Sequence, residues 1–238
     1  MRFRAVFFDA GETLVHPSPS FPELFSRVLS DAGHRRDPAA VSDASAAVFR
    51  RFAEAADDGE LWTTSSERSA RFWKGVYEQM LETLGLPSRD GLRDSLYATF
   101  TDPANYALFD DVVTALDGLE ALVPGGGLAF GIVSNYEAWL EDLLVRLGIR
   151  DRFPVRAISG LEGFEKPDAR LFRVALDRGH LDAVDVAYVG DNPAFDVQPA
   201  RALGMTPVLI DRRGRFPGED CITIADLREL PGVLQGAA

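Results

Sequence analysis

Thiols and long apolar runs are scarce in this sequence of 238 residues. Its single cysteine, Cys221, excludes an internal disulfide framework and a thiolate cluster for a metal ion. No apolar run approaches the roughly 20 residues that a membrane-spanning helix needs. The first residues, MRFRAVFFDA, also lack the separate apolar segment and small-residue cleavage site of a secretory signal. We therefore expect a cytoplasmic protein without a membrane partner.

Positive charge is scarce as well. The chain has 25 lysines and arginines against 37 aspartates and glutamates, for a formal net charge of -12. Nucleic-acid-binding surfaces need clustered positive charge, so we expect no nucleic-acid partner. This acidic balance does not attract phosphorylated molecules either. A phosphate site would therefore depend on nearby positive charges and hydrogen-bond donors, namely a metal ion, one lysine and backbone amides.

Five short apolar runs are typical of strands that are buried on both faces. They span residues 3–9, 128–133, 184–189, 206–210 and 221–224. Between them, apolar residues at helical spacing predict helices over 111–122, 136–147 and 168–179. Strands that alternate with helices form parallel sheets with right-handed crossovers. The sequence therefore predicts an α/β fold with a Rossmann-like parallel sheet.

Residues 15–105 interrupt this alternation. They contain no convincing strand, and four stretches have helical periodicity: 21–32, 39–56, 66–85 and 90–100. The proline-rich segments HPSPSFP and TDPANY flank them. We predict an α/β hydrolase core over 1–14 and 106–238, with an inserted all-helical cap domain over 15–105.

Polar residues follow three of the predicted strands: Asp9, Ser134 and Asp191. In open parallel sheets, ligands bind outside the carboxyl ends of the strands. Read alone, each residue is equally typical of a turn or a helix cap. The coincidence at three strand ends predicts one site, and Lys166 in GFEKPD and Asp196 in GDNPAFD are its further candidates.

In order and spacing, the segments FFDAGETL, GIVSN, GFEKPD and YVGDNPAFD resemble the four motifs of the haloacid dehalogenase (HAD) superfamily, most of whose members are phosphohydrolases. The likeness covers residues 1–14 and about 106–225, and the helical insert resembles the superfamily's cap more weakly. The sequence is more closely similar to the branch of HAD-like hydrolase domain-containing proteins of the third type, which carry a tryptophan-bearing cap segment like SSERSARFWKGVYEQML.

The resemblance implies a catalytic role for Asp9 and Lys166. Asp9 would be the nucleophile that forms an aspartyl-phosphate, and Lys166 would neutralise charge between it and the phosphoryl group. Ser134, the Asn135 amide and Lys166 would bind the phosphate oxygens. The expected partner is a small phosphorylated molecule.

The resemblance also implies a Mg²⁺ cofactor. Its ligands would be the carboxylates of Asp9, Asp191 and Asp196 and the backbone carbonyl of Gly11. Asp196 has an alternative role, which is to orient Lys166. A backbone ligand does not depend on a side chain, so Gly11 can serve although it has none.

One position departs from the superfamily pattern. The first motif normally reads Asp-x-Asp-Gly-Thr, but here it reads Asp9-Ala10-Gly11-Glu12-Thr13. The second aspartate of that pattern protonates the leaving group and then activates water, and such general acid–base help is worth about 10²–10⁴ in rate. We expect weak phosphatase activity that favours good leaving groups. Glu12 and His16 are alternative sources of the proton.

Two other functions stay open. Gly11 is also compatible with a catalytically silent binding or regulatory protein of the same fold. A dehalogenase or phosphonate-cleaving enzyme is the third option, which the intact GDNPAFD segment disfavours. Four residues of the insert have the reach and chemistry to contact a substrate, although core packing or a solvated helix face also explains them: Trp62, Arg68, Arg71 and Trp73. The oligomeric state is left open.

Overall fold

In the described part of the chain, the strands of the structure, a computed structural model, form two sheets. Residues 2–45, 48, 51–52, 54, 59–86, 91–123 and 127–236 are described. The strands are β1 (Ala5–Phe8), β2 (Val15–Pro17), β3 (Tyr106–Leu108), β4 (Ala129–Ser134), β5 (Val155–Ile158), β6 (Val186–Gly190), β7 (Thr206–Ile210) and β8 (Ile222–Ile224). The chain divides into two compact units, one up to Val15 and from Leu108 onward, the other over His16–Ala107.

The first unit contains a six-stranded parallel sheet in the order β5-β4-β1-β6-β7-β8. The strand nearest the N-terminus, β1, lies in the middle, with Phe8 opposite Ile132 of β4 and Val189 of β6. Its four residues are completely buried, as the unbroken apolar run predicts. The α/β fold with a Rossmann-like parallel sheet is therefore confirmed.

The helices of the second unit whose bounds lie within the described residues are α1 (Phe21–Asp31), α2 (Pro38–Ala44), α3 (Ser66–Thr83) and α4 (Leu92–Phe100). Ser20, Asp37 and Ser65 cap the first three of them by accepting a backbone N–H of the first turn. The helix predicted over 39–56 is only partly testable, since several of its residues lie outside the described ones. Its described residues Val48, Arg51 and Phe52 are helical. The role of this unit as a cap stays a prediction.

The helices of the first unit are α5 (Val112–Ala121), α6 (Leu140–Arg146), α7 (Ser159–Glu162), α8 (Ala169–Gly179), α9 (Gln198–Leu203) and α10 (Leu230–Gly236). A π-helical turn over Pro193–Val197 precedes α9. Asp168 caps α8 by accepting the N–H of Arg170 at 2.8 Å. Phe172 of α8 then packs edge-on against Tyr188 of β6, with ring centroids 5.0 Å apart. Helix and sheet therefore share one apolar core.

Three strands differ from the sequence-based expectations. β5 was not predicted, and it pairs with β4 at the edge of the sheet. The expectation of no strand in 15–105 was wrong, because β2 begins at Val15 and pairs with β3. Both strands of that pair have only three residues, too few for a recognisable pattern. Among the described residues, no helix has the length and apolar composition of a membrane span.

Candidate active site

Asp9 and Lys166 form a buried ion pair at the carboxyl edge of the sheet. Asp9 directly follows β1, and its backbone N–H donates to Val189 O at 2.8 Å. The Lys166 ammonium donates to Asp9 Oδ1 at 2.8 Å and to Asp196 Oδ1 at 2.6 Å. Burial alone would lower the pKa of Lys166, but the carboxylates of Asp196 and Asp9 outweigh it and raise that pKa. Lys166 is therefore a permanent cation beside Asp9.

Both carboxylate oxygens of Asp196 accept hydrogen bonds. Its Oδ1 accepts from Lys166 and lies 2.9 Å from the Tyr188 hydroxyl, while Oδ2 accepts the Asn192 N–H at 2.9 Å. The carboxyl group occupies the space beside Gly190, where a Cβ would lie 2.3 Å from Asp196 Cγ. β6 can therefore end beside this carboxylate only because residue 190 is a glycine.

Asp191 carries excess negative charge. Burial raises its pKa to about 8, together with the nearby carboxylates of Asp196 and Asp9. The Arg215 guanidinium opposes this, with its Nη2 donating to Asp191 Oδ2 at 3.1 Å. Since a carboxylate with such a pKa binds a proton at neutral pH, the cluster is short of positive charge.

The three carboxylates converge on one point. One oxygen each from Asp9, Asp191 and Asp196 lies within 4.8 Å of the others. Carboxylate oxygens are the ligands that Mg²⁺ prefers, and a divalent ion would supply the missing charge. The donor set and the raised pKa of Asp191 thus both fit a hard divalent cation. Asp196 keeps limited capacity for it, since three donors already approach its oxygens.

Ser134 and Asn135 follow β4 at the same edge. Within the described part of the chain, the buried Ser134 hydroxyl has no hydrogen-bond partner. A buried hydroxyl without a partner is costly, so this atom indicates a ligand that completes its hydrogen bonding. The Asn135 side chain is occupied: it accepts the Lys166 N–H at 2.6 Å and donates to Lys166 O at 2.8 Å. Asn135 therefore positions Lys166.

Gly11 and Glu12 form the turn after Asp9. The left-handed backbone angle that a glycine would favour belongs to Glu12, with φ 55°, and not to Gly11. A Cβ added to Gly11 would have only Tyr136 Cε2 nearby, at 3.7 Å. The Glu12 carboxylate accepts from Arg213 at 3.2 Å on the surface. This pairing occupies Glu12, which disfavours it as the source of the proton.

Three arginines after β7 reach back to these elements, and we call residues 211–216 the arginine loop. Asp211 shapes the loop by accepting the N–H groups of Arg215 and Phe216, each at 2.8 Å. Arg212 donates to Thr13 O at 2.9 Å and to both oxygens of Asp111. Arg213 and Arg215 contact Glu12 and Asp191, as described above. The loop thus places positive charge beside an acidic site.

A family model described as a haloacid dehalogenase-like hydrolase matches residues 3–204. The chain belongs to that family. It is therefore a hydrolase with the HAD fold, as the four motifs predicted.

Three known proteins illustrate what this HAD-like hydrolase resembles. It is 29% identical to haloacid dehalogenase-like hydrolase domain-containing protein 3 of Danio rerio, over 98% of this chain and 96% of that protein. It is 36% identical to glyceraldehyde 3-phosphate phosphatase of Methanocaldococcus jannaschii, over 98% and 97% of the two chains. The solved structure of the putative HAD-hydrolase YfnB from Bacillus subtilis, bound to magnesium, has a TM-score of 0.78 and 17% identity, covering 98% of this chain and 99% of that one. At that identity the last likeness concerns the fold alone.

The candidates of the second unit pack mostly within it. Trp62 is buried, and its ring stacks on Phe72 with centroids 5.1 Å apart. Trp73 stacks on Tyr77 of the same helix at 5.9 Å. Arg68 and Arg71 are exposed, and His16 lies in β2, with its Nδ1 2.8 Å from Pro17 O. Core packing thus accounts for Trp62.

Sequence reasoning missed three contributors to the site of this hydrolase: Tyr188, Gly190 and Arg215. Tyr188 is a fully buried strand residue whose hydroxyl also lies 2.9 Å from Val133 O. A tyrosine in an otherwise apolar run, two residues before a Gly-Asp pair, was the available signal for the first two. No local signal marks Arg215, because its partner Asp191 is 24 residues away in sequence.

Proposed function

We propose that this hydrolase is a Mg²⁺-dependent phosphatase that acts on a small phosphorylated molecule through an aspartyl-phosphate on Asp9. The observation that carries the proposal is the Asp9 carboxylate, which lies 2.8 Å from a buried ammonium and within a cluster of three carboxylates. The 36% identical relative named as a glyceraldehyde 3-phosphate phosphatase supports the reaction class. A cytoplasmic location stays a prediction.

The residues divide the chemistry between them. An Asp9 oxygen attacks phosphorus, the bond from phosphorus to the ester oxygen breaks, and its electron pair leaves with that oxygen. Water then attacks the phosphorus of the aspartyl-phosphate and regenerates the Asp9 carboxylate. Lys166 holds Asp9 in position and offsets charge, and the Ser134 hydroxyl donates to a phosphate oxygen.

Mg²⁺ would be held by the carboxylates of Asp9 and Asp191 and the carbonyl of Gly11, with Asp196 completing the set or orienting Lys166. When bound, the ion supplies charge that draws the phosphate toward the carboxylates. Weak activity toward esters with poor leaving groups follows from Gly11, which offers no acid beside the leaving oxygen.

The test is hydrolysis of an aryl phosphate by wild type and Asp9→Asn, with Mg²⁺ and with EDTA. We expect turnover only in the wild type with Mg²⁺. Asp151→Asn is the matched control, since its side chain is 99% exposed, and it should retain full activity. Turnover that survives Asp9→Asn, or that needs no metal, would reject the proposal.

Measurements of Mg²⁺ binding and of halide release separate the alternatives. A catalytically silent protein, which Gly11 favours, would bind Mg²⁺ without turning over any ester. A dehalogenase would release halide from 2-chloropropionate without metal. Either result would replace the phosphatase assignment.

A further inference from the structure

Neither the backbone angle nor the surrounding atoms require a glycine at residue 11. Its φ is not left-handed, so other residues can adopt its conformation. A Cβ at this position would meet Tyr136 Cε2 at 3.7 Å, an ordinary van der Waals distance. The phenolic oxygen of Tyr136 is two bonds from that carbon. A side chain at residue 11 would therefore lie beside the Tyr136 ring.

The main chain of Tyr136 is held firmly by the start of α7. Its N–H donates to Ser159 Oγ at 2.9 Å, and its carbonyl accepts from Ser159 Oγ at 3.0 Å and from the Gly160 N–H at 2.9 Å. A Cβ on Gly160 would lie 2.6 Å from the backbone nitrogen of Ala138. Only a glycine permits this approach, so the structure fixes where Tyr136 lies.

Tyr136 is also tied to the catalytic pair. Its ring packs edge-on against Trp139, with centroids 4.8 Å apart. The residue before it, Asn135, makes two hydrogen bonds to the main chain of Lys166, whose ammonium contacts Asp9. The main chain of Tyr136 is thus linked to Asp9 through a short series of direct contacts.

We propose that Tyr136 is a further catalytic residue, which donates to the leaving oxygen the proton that residue 11 does not supply. This inference rests on the proposed phosphatase function. As the bond from phosphorus to the ester oxygen breaks, that oxygen keeps the electron pair and takes the phenolic proton. The phenolate takes back a proton from solvent before water attacks phosphorus and releases Asp9, so the second half-reaction is the same for every ester. Tyr136 returns to its phenol form.

The test compares wild type with Tyr136→Phe, which keeps the ring and removes only the hydroxyl. Turnover numbers are measured at saturating Mg²⁺ for a nitrophenyl, a phenyl and an alkyl phosphate. Because a good leaving group needs no proton, Tyr136→Phe should leave the turnover number for nitrophenyl phosphate nearly unchanged. It should slow the alkyl ester at least tenfold, a conservative part of the 10²–10⁴ range of general acid–base help. If the wild type turns over no alkyl ester, the dependence of rate on leaving group among the aryl esters decides.

Two further variants make the result specific. Trp139→Phe changes the neighbouring ring and should leave the dependence on leaving group unchanged. Gly11→Asp in the Tyr136→Phe background places a carboxyl group at residue 11 and should restore alkyl turnover. Equal losses on all three esters, or no loss on any, would overturn the role of Tyr136 while leaving the phosphatase function intact. A wild type that shows no Mg²⁺-dependent turnover of nitrophenyl phosphate would overturn both.

Discussion

Two residues show how strongly the site depends on single atoms. Gly190 supplies the space for the Asp196 carboxylate, and Asp191 carries a charge that its surroundings do not balance. Each leads to a prediction at the residue scale.

Gly190→Ala should displace Asp196 and abolish phosphatase activity. The added Cβ would lie 2.3 Å from Asp196 Cγ, and overpacking of this kind costs about 1–3 kcal/mol of unfolding free energy. Urea unfolding and the aryl phosphate assay measure both effects. Gly75→Ala within α3 is the matched control, since its Cβ meets nothing within 4 Å. It should raise stability slightly, because alanine favours helix. Equal behaviour of the two variants would contradict this account.

The metal-free protein should lose stability as the pH rises from about 4 to 8. An unfolded aspartate ionises near 3.9, whereas the pKa of Asp191 is raised to about 8 in the fold. Between these values the folded state binds more protons than the unfolded state, so stability falls with pH. We expect a decrease of at least about 1 kcal/mol, or about 2–4 °C in melting temperature.

Thermal melts at several pH values, with EDTA and with Mg²⁺, measure this effect. Asp191→Asn should show a flatter profile. Added Mg²⁺ should stabilise the wild type more at pH 8 than at pH 5, because the ion binds the deprotonated carboxylate. A melting temperature that rises with pH in EDTA and is unaffected by Asp191→Asn would count against the raised pKa.

At the scale of elements, the start of α5 is joined to the arginine loop and to the backbone before α10. Asp111 is completely buried. Its carboxylate accepts hydrogen bonds from Nη1 and Nη2 of Arg212 and from the Leu227 N–H, the last at 2.8 Å. Arg212 in turn donates to Thr13 O in the turn after Asp9. Three distant segments therefore meet at one carboxylate.

Asp111→Ala should destabilise the protein by about 3–5 kcal/mol, because it leaves a half-buried guanidinium and a buried N–H without their acceptor. Asp117→Ala on the same helix is the control. It removes an ion pair with Arg152 whose carboxylate is 63% exposed, and such pairs contribute about 0–1 kcal/mol. Urea unfolding of both variants checks the difference, and similar losses would show that the buried contact is not special.

Elements were predictable where burial produces a long pattern. The apolar runs of β1, β4, β6 and β7 identify central strands, and the motif residues follow them. β5 lies at the edge and carries Arg156, so its pattern resembles a loop. Asp9, Lys166 and Asp196 were candidates because each stands in a recognisable motif. Arg215 acts through a contact across 24 residues, which a local pattern does not contain.

At the scale of the whole molecule, the net charge of -12 makes the folded state repel itself. Potassium chloride should therefore raise the melting temperature between about 0.01 and 0.15 M, where the Debye length falls from about 30 to 8 Å. Exposed ion pairs weaken over the same range, but each contributes little. Thermal melts in EDTA test the balance, and a melting temperature that falls with added salt would show that the ion pairs dominate.

The central position of β1 also has a consequence for synthesis on the ribosome. This strand is translated before its partners β4 and β6, which begin only at Ala129 and Val186. At a translation rate of about 5–20 residues per second, the edge of β1 that pairs with β6 stays unpaired for roughly 10–35 s until β6 is synthesised. During that time four apolar residues have an unpaired edge, which is a template for wrong pairing. Asp9, the residue that is proposed to carry the chemistry, is thus translated well before Val189 of β6, whose carbonyl accepts its N–H in the fold.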